Sequence, residues 1–181
     1  FLYLGATDKR KDIPTLLRAW RLASARLPSC RLVIGGFIPP HGGTLYPDLP
    51  SLAAELGIAD RVTFLGPVSP DDQVGLLAGS DGFVFPSRYE GFGLPPLEAM
   101  ACGVPVVVAD ASSLPEVVGD AGLLFPPGDA AALAAHLVRL GQDDVLRSTL
   151  AAAGRERAAT FTWRRAAEQT LSVYESVLSE R

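Results

Sequence analysis

Cysteine and histidine are scarce, with two of each in 181 residues. Cys30 and Cys102 sit in apolar surroundings with neither metal-ligand nor redox spacing, so they read as small core residues and no metal is expected. A reducing, cytoplasmic compartment fits that usage. His41 lies in a loop, and His136 falls on a late helix far in sequence from any carboxylate partner, so neither reads as a catalyst. An excess of one charge is missing too. Sixteen Lys and Arg against twenty Asp and Glu leave a net charge of -4, without a block of like charges, which excludes a nucleic-acid footprint. Long apolar runs are also absent. Gly and Pro interrupt the best candidates, such as Ala101 to Ala109, well short of the roughly 20 residues of a membrane span. No initiator Met, charged leader or cleavage site precedes Phe1-Leu2-Tyr3-Leu4-Gly5, which already reads as a core strand, so the chain is expected to begin inside a larger protein.

What is present is alternation. Apolar runs recur at residues 1 to 4, 31 to 34, 62 to 65, 82 to 85, 104 to 108 and 122 to 125, implying six short buried strands. Between them, Ile13, Leu16, Leu17 and Trp20, then Leu49, Leu52, Ala53 and Leu56, then Val74, Leu77 and Ala78, then Leu97, Met100 and Ala101 have helical spacing. Pro70-Asp71-Asp72-Gln73 reads as a helix start with acids where the macrodipole favours them. Strand and helix in turn predict an α/β domain, a mostly parallel sheet with helices on both faces. From Asp129 the pattern becomes three helices, at 129 to 141, 143 to 159 and 163 to 179. The last carries Leu171, Tyr174, Val177 and Leu178 along one side, a stripe expected to pack on the domain's own sheet or else on a domain outside this chain. The length suits one domain, spanning 1 to 181, with no internal repeat or low-complexity linker.

In an open parallel sheet ligands bind beyond the carboxyl ends of the strands, so the loops there are the candidates. Gly5-Ala6-Thr7-Asp8-Lys9-Arg10-Lys11 sets three cations before a helix, where charge and unpaired N–H groups suit a diphosphate. Gly35-Gly36-Phe37 and Gly66-Pro67-Val68 end two further strands. Pro86-Ser87-Arg88-Tyr89-Glu90-Gly91-Phe92-Gly93-Leu94-Pro95-Pro96-Leu97-Glu98 ends the fourth, with two carboxylates on either side of a glycine turn and a helix start. A carboxylate accepts paired hydroxyl hydrogen bonds, which a sugar or ribose diol offers. Taken singly, Glu98 is an ordinary acid at a helix start, Glu90 a capping or surface group and the cations a solvated run. Taken together they describe one crevice.

The spacing of Glu90 and Glu98, within Glu-Gly-Phe-Gly-Leu-Pro-Pro-Leu-Glu-Ala-Met-Ala-Cys-Gly-Val-Pro-Val-Val, resembles the signature of the retaining GT-B glycosyltransferases of family 4, also called group 1. Leu2-Tyr3-Leu4-Gly5, Arg10-Lys11-Asp12, Val62-Thr63-Phe64-Leu65-Gly66, Ser112-Ser113-Leu114-Pro115-Glu116-Val117 and Phe161-Thr162-Trp163 fall where that family's nucleotide-sugar-binding half has similar pieces. The resemblance covers essentially the whole chain. It implies a Rossmann-like three-layer domain, the second half of a GT-B fold, with the amino-terminal acceptor domain outside the chain and residues 161 to 181 as the helix that crosses back to it. It implies that Glu90 contacts the transferred sugar, that Glu98 holds the ribose hydroxyls, and that backbone N–H groups of Gly91, Phe92, Gly93 and Leu94 address the sugar and distal phosphate. Arg10 and Lys11 would neutralise the diphosphate beside Gly5, and the backbone of Val68 would meet the base. Many relatives carry an arginine directly after the first glycine, where this chain has Ala6; Arg10 then takes that place, as in a branch whose Pro-Arg-Lys-Asn-like loop has Lys9 for its proline here.

The resemblance implies transfer of a hexose from a UDP- or GDP-sugar with retention, without cofactor or metal. The isolated domain is expected to bind donor and turn over little or nothing. It also allows peripheral membrane association through the missing half and a homodimer built on the last helix. A competing expectation is a non-catalytic nucleotide-binding or assembly module of the same fold, disfavoured because a site relieved of chemistry has no need of buried paired acids. A phospho-receiver domain wants an acidic cluster after its first strand, and Gly5-Ala6-Thr7 supplies none.

Overall fold

The computed structural model describes residues 1–39 and 42–179; His41 lies outside the described residues. Its core is a six-stranded sheet of β1 (Leu2–Leu4), β2 (Leu32–Gly35), β3 (Val62–Gly66), β4 (Phe83–Phe85), β5 (Val106–Ala109) and β6 (Leu123–Phe125). The spatial order is β3-β2-β1-β4-β5-β6, and every neighbouring pair is parallel. All of β1, β4 and β5 is buried, as unbroken apolar runs require when helices cover both faces. The edge strands depart from the expectation of full burial. Thr63, Phe64, Leu123 and Leu124 are only half-buried, because an edge has a neighbour on one side alone.

Helices α1 (Ile13–Ala23), α2 (Leu49–Glu55), α3 (Pro70–Ala78), α4 (Leu94–Ala101) and α5 (Leu114–Val118) connect the strands, and α6 (Ala130–Gln142), α7 (Asp144–Ala159) and α8 (Trp163–Ser179) follow. Helix α1 packs with α6 and α2, whereas α4 packs with α7 and α5, giving the two outer layers. Local chemistry fixes the ends. Asp129 and Asp143 cap α6 and α7 by accepting backbone N–H groups at 2.8–3.0 Å, which is why these boundaries fall within a residue of expectation. Helix α5 is not predicted by the apolar pattern. With five residues it shows no period, and it is started by the Ser113-Leu114-Pro115 segment instead.

The largest buried side chains are Trp20, Tyr3, Phe83, Phe85 and Phe125. Trp20 stacks at a tilt on Phe1, ring centres 5.8 Å apart, and donates its indole N–H to the Arg61 carbonyl at 3.2 Å. Cys30 and Cys102 are free thiols, half-buried against this core.

Helix α8 does not pack on the sheet. None of its residues is buried, and Leu171, Tyr174, Val177 and Leu178 are exposed by more than half. The stripe is therefore bare on this chain. Among the described residues no helix is long and apolar enough to cross a membrane.

Candidate functional site

The strand order reverses direction between β1 and β4, so the loops leaving these two strands part and open a crevice at their carboxyl ends. The β1–β4 ladder holds only at Leu2 and Phe83, whereas the other pairs run for three or four residues. Tyr3 and Phe85 fill the floor, stacked 5.9 Å apart. Tyr3 donates its hydroxyl to the Ala6 carbonyl, and burial first, then the carboxylates of Glu90 and Asp8, hold that phenol far above its ordinary range. It acts as a neutral strut.

The basic loop comes from β1. Asp8 caps a single 3-10 turn at Lys9–Lys11, accepting the Arg10 N–H at 3.1 Å. The same carboxylate holds the Arg10 guanidinium in a fork at 2.9 and 3.2 Å, so Arg10 is exposed and tied to its own loop. Burial pushes the Asp8 carboxyl up, but the Arg10 hydrogen bonds and charge outweigh it and bring the group below its usual range. Lys11 behaves differently. Its ammonium pairs with the Glu90 carboxylate and lies 5.3 Å from the centre of the Phe85 ring, with the two charged side chains only 12% and 14% exposed.

A second set of contacts bolts the loops from β1 and β4 together. Asp12 takes a left-handed conformation at φ 49, unusual for a residue with a side chain, at the start of α1. Its carboxylate accepts from the Thr15 hydroxyl at 2.9 Å and from Arg88 Nε at 2.8 Å. The Arg88 N–H and the Ser87 hydroxyl both reach the Arg10 carbonyl, at 2.8 and 3.3 Å.

The glycine turn after Glu90 is held from a third side. Ser112, itself at φ 56, accepts the Glu90 N–H at 3.1 Å and donates to the Glu90 carbonyl, while Ser113 donates to the Phe92 carbonyl at 2.7 Å. The Phe92 ring packs edge-on against Phe161 at 5.8 Å. Gly93, at φ 111, precedes α4, and a side chain there would come within 2.9 Å of Leu114. Pro95 and Pro96 supply no N–H in the first turn of that helix. Among the described residues, the N–H groups of Gly91, Phe92, Gly93 and Leu94 have no recorded acceptor. That is a row of donors at a helix start, suited to anionic or hydroxyl oxygens.

The other wall is nearly bare backbone. Gly5 donates to the Gly35 carbonyl at 3.1 Å and Gly36 to the Gly66 carbonyl at 2.8 Å, and a Cβ on Gly36 would stand 1.8 Å from the Gly5 carbonyl oxygen. Val68 lies beside this shelf, its Cγ2 2.8 Å from where a Gly35 Cβ would be. Glu98 sits on α4, exposed rather than buried, against the expectation of buried paired acids, because it lies on the outer side of the helix, and it accepts from Gln73 Nε2 of α3 at 2.9 Å.

The structure thus joins Lys11, Glu90 and the turn Gly91–Leu94 at the crevice, places Gly5 and Val68 on the shelf, and puts Glu98 one helical turn into α4. It does not bring Arg10 to Glu90. Gln73, Arg88, Ser112 and Ser113 escaped the sequence reading of the site. Ser112-Ser113 stood inside a recognised segment, yet nothing in sequence says a hydroxyl will reach across from β5 to the loop after β4.

The chain matches the family model described as glycosyl transferases group 1 over residues 1–157. It is 40% identical over 178 residues to the O-antigen chain mannosyltransferase B of Escherichia coli, covering 96% of this chain and 45% of that protein. It is 37% identical over 185 residues to a D-inositol 3-phosphate glycosyltransferase of Saccharomonospora viridis, covering 98% and 42%. The chain therefore spans less than half the length of these curated relatives. Among solved structures, a sucrose-phosphate synthase from Thermosynechococcus elongatus superposes with a TM-score of 0.84 at 34% identity, over 99% of this chain and 45% of that one. The Anabaena HepE protein in complex with UDP superposes with a TM-score of 0.82 at 26% identity, over 97% and 48%. By the extent of the family match, the relatives and the GT-B-type Rossmann-like fold, this chain belongs to the glycosyl transferases group 1 family.

Proposed function

We propose that this chain is the carboxyl-terminal, donor-binding domain of a retaining glycosyltransferase whose intact form moves a hexose from a nucleoside-diphosphate sugar to an acceptor. The observation that carries the reading is the Lys11–Glu90 pair at the switch point, beside a turn whose Gly91–Leu94 N–H groups are unclaimed. The relative named a mannosyltransferase supports a hexosyl donor, and the UDP held by HepE supports a nucleotide carrier.

In this reading the base lies against the Val68 backbone and the glycine shelf. Glu98 takes the ribose hydroxyls. The diphosphate lies between the turn and the basic loop, with Lys11 and Arg10 supplying cationic charge. As the bond between the anomeric carbon and the phosphate oxygen breaks, the oxygen keeps the electron pair, and fixed cations and N–H donors stabilise it. Glu90 faces the sugar, where its carboxylate balances the positive charge that develops on the ring. The acceptor hydroxyl oxygen then bonds to the anomeric carbon on the face the leaving group vacates, and its proton passes to the departing phosphate oxygen. No cofactor or metal is called for.

The exposed stripe of α8 is the surface that packs on the amino-terminal half, which would contribute the acceptor site and the opposite cleft wall. The chain alone then binds donor without turning it over.

Titration calorimetry with UDP-glucose and GDP-mannose tests the reading. Binding of at least one, weakened about tenfold by Glu98→Ala through the loss of charged hydrogen bonds, is expected. No binding by the unaltered chain, or equal binding by Glu98→Ala, would sink it. The competing non-catalytic module predicts binding but no transfer once the amino-terminal half is restored.

A further inference from the structure

Glu98 and Gln73 come from different crossover segments. Glu98 is on α4, which follows β4, and Gln73 is in the first turns of α3, which follows β3 at the far edge of the sheet. Their hydrogen bond, Gln73 Nε2 to Glu98 Oε2 at 2.9 Å, ties these two helix starts together. The start of α3 is itself firmly set. Ser69 accepts the Asp72 N–H on its hydroxyl at 3.2 Å and donates to the Asp72 carboxylate at 2.6 Å, and its carbonyl receives the Gln73 N–H at 3.1 Å.

We infer that Gln73 is a positioning residue for the ribose, aiming the Glu98 carboxylate and coupling it to the base-facing loop; this rests on the reading of Glu98 given above. Three features carry the step. The amide occupies one carboxylate oxygen, Oε2, and among the described residues Oε1 has no recorded hydrogen-bond partner, so one oxygen is oriented while the other stays open to a diol. The amide is neutral, so it fixes the carboxylate without cancelling the charge that makes it a strong acceptor; a lysine or arginine in its place would compete with the ribose as a charged donor. Gln73 also stands five residues after Val68, with Ser69 and the α3 cap between them, so a base settling against Val68 bears on the element that holds the ribose carboxylate.

The consequence is specificity for ribose rather than general affinity. Without the amide, the Glu98 side chain is free to choose among rotamers, and the ordering cost falls on the ribose contact alone.

The test is calorimetry on the full 181-residue chain with UDP and GDP, each beside its 2′-deoxy counterpart. The unaltered chain should favour the ribonucleotide. Gln73→Leu, which keeps the bulk and removes the donor, should lose about fivefold for the ribonucleotide and little for the deoxy form, shrinking the preference. Gln73→Glu, which sets a second carboxylate against Glu98, should lose more. Thermal midpoints unchanged in both variants would separate positioning from folding. An unaltered chain that binds neither diphosphate, or that binds ribo and deoxy forms alike, overturns the reading of Glu98 and this inference with it. A chain that discriminates, with Gln73→Leu discriminating equally, overturns the role of Gln73 alone.

Discussion

Lys11 and Glu90 are mostly withdrawn from water and pair with each other. Removing one partner strands the other, a cost of about 3 kcal/mol for a well-buried pair, while replacing both with neutral residues of similar shape recovers much of it. Lys11→Met and Glu90→Gln should each lower the urea unfolding free energy, and the double variant should lose less than their sum; strict additivity would show that the pair does not interact. His136 gives a pH signature of its own. Burial holds its imidazole below the ordinary value of 6.5, only partly offset by the hydrogen bond from Nε2 to the Leu124 carbonyl at 3.1 Å, and Nδ1 is buried with no partner among the described residues. The fold thus favours the neutral ring. Its contribution is complete above the unfolded pKa and is lost as pH falls through that value toward the lower folded one. The thermal midpoint should therefore drop on acidification below about pH 6.5, and His136→Leu should flatten that part of the profile. An identical slope in the variant would assign the pH dependence elsewhere.

At the scale of elements, the strand runs and the Asp-capped helices α6 and α7 were legible because each has a local cause: an unbroken apolar run, or an acid that satisfies the next turn's N–H groups. What could not be read was anything made across loops. Ser112 reaches Glu90, Arg88 reaches Asp12, and Arg10 turns back to Asp8, and these contacts are products of where β1, β4 and β5 stand relative to one another. The serine clamp should act on the turn rather than on the fold. Ser112→Gly relieves the left-handed backbone but removes both contacts to Glu90, so donor affinity should fall severalfold while the unfolding free energy changes by less than about 1 kcal/mol. Equal donor affinity would show that the turn holds itself. Of the two partners expected for the stripe of α8, the domain's own sheet is the one the structure rules out, for a related reason. The amphipathic stripe is real, but periodicity names a buried face without naming the partner, and α4, α5 and α6 already pack on this sheet. Accordingly, Leu171→Glu with Tyr174→Glu should leave the stability of this chain nearly unchanged, and a large loss would mean the helix docks on its own domain after all.

For the whole molecule, one geometric fact organises the rest: the chain begins in the middle of its sheet, winds to one edge, returns beside its first strand and winds to the other. That path places the basic loop and the glycine turn side by side, although they are separated by some eighty residues of sequence. The sequence motifs could name both pieces and, through resemblance, their pairing; only the topology explains why Lys11 and Glu90 touch. On the proposed function, the unclaimed N–H groups at this reversal receive a nucleoside-diphosphate sugar. Backbone-amide NMR of the chain titrated with UDP- and GDP-sugars tests it most directly. Saturable shifts concentrated at Gly91, Phe92, Gly93 and Leu94, with weaker ones at Gly5, Lys11 and Val68, are the predicted result, whereas saturable binding that leaves those four amides unmoved would contradict the account.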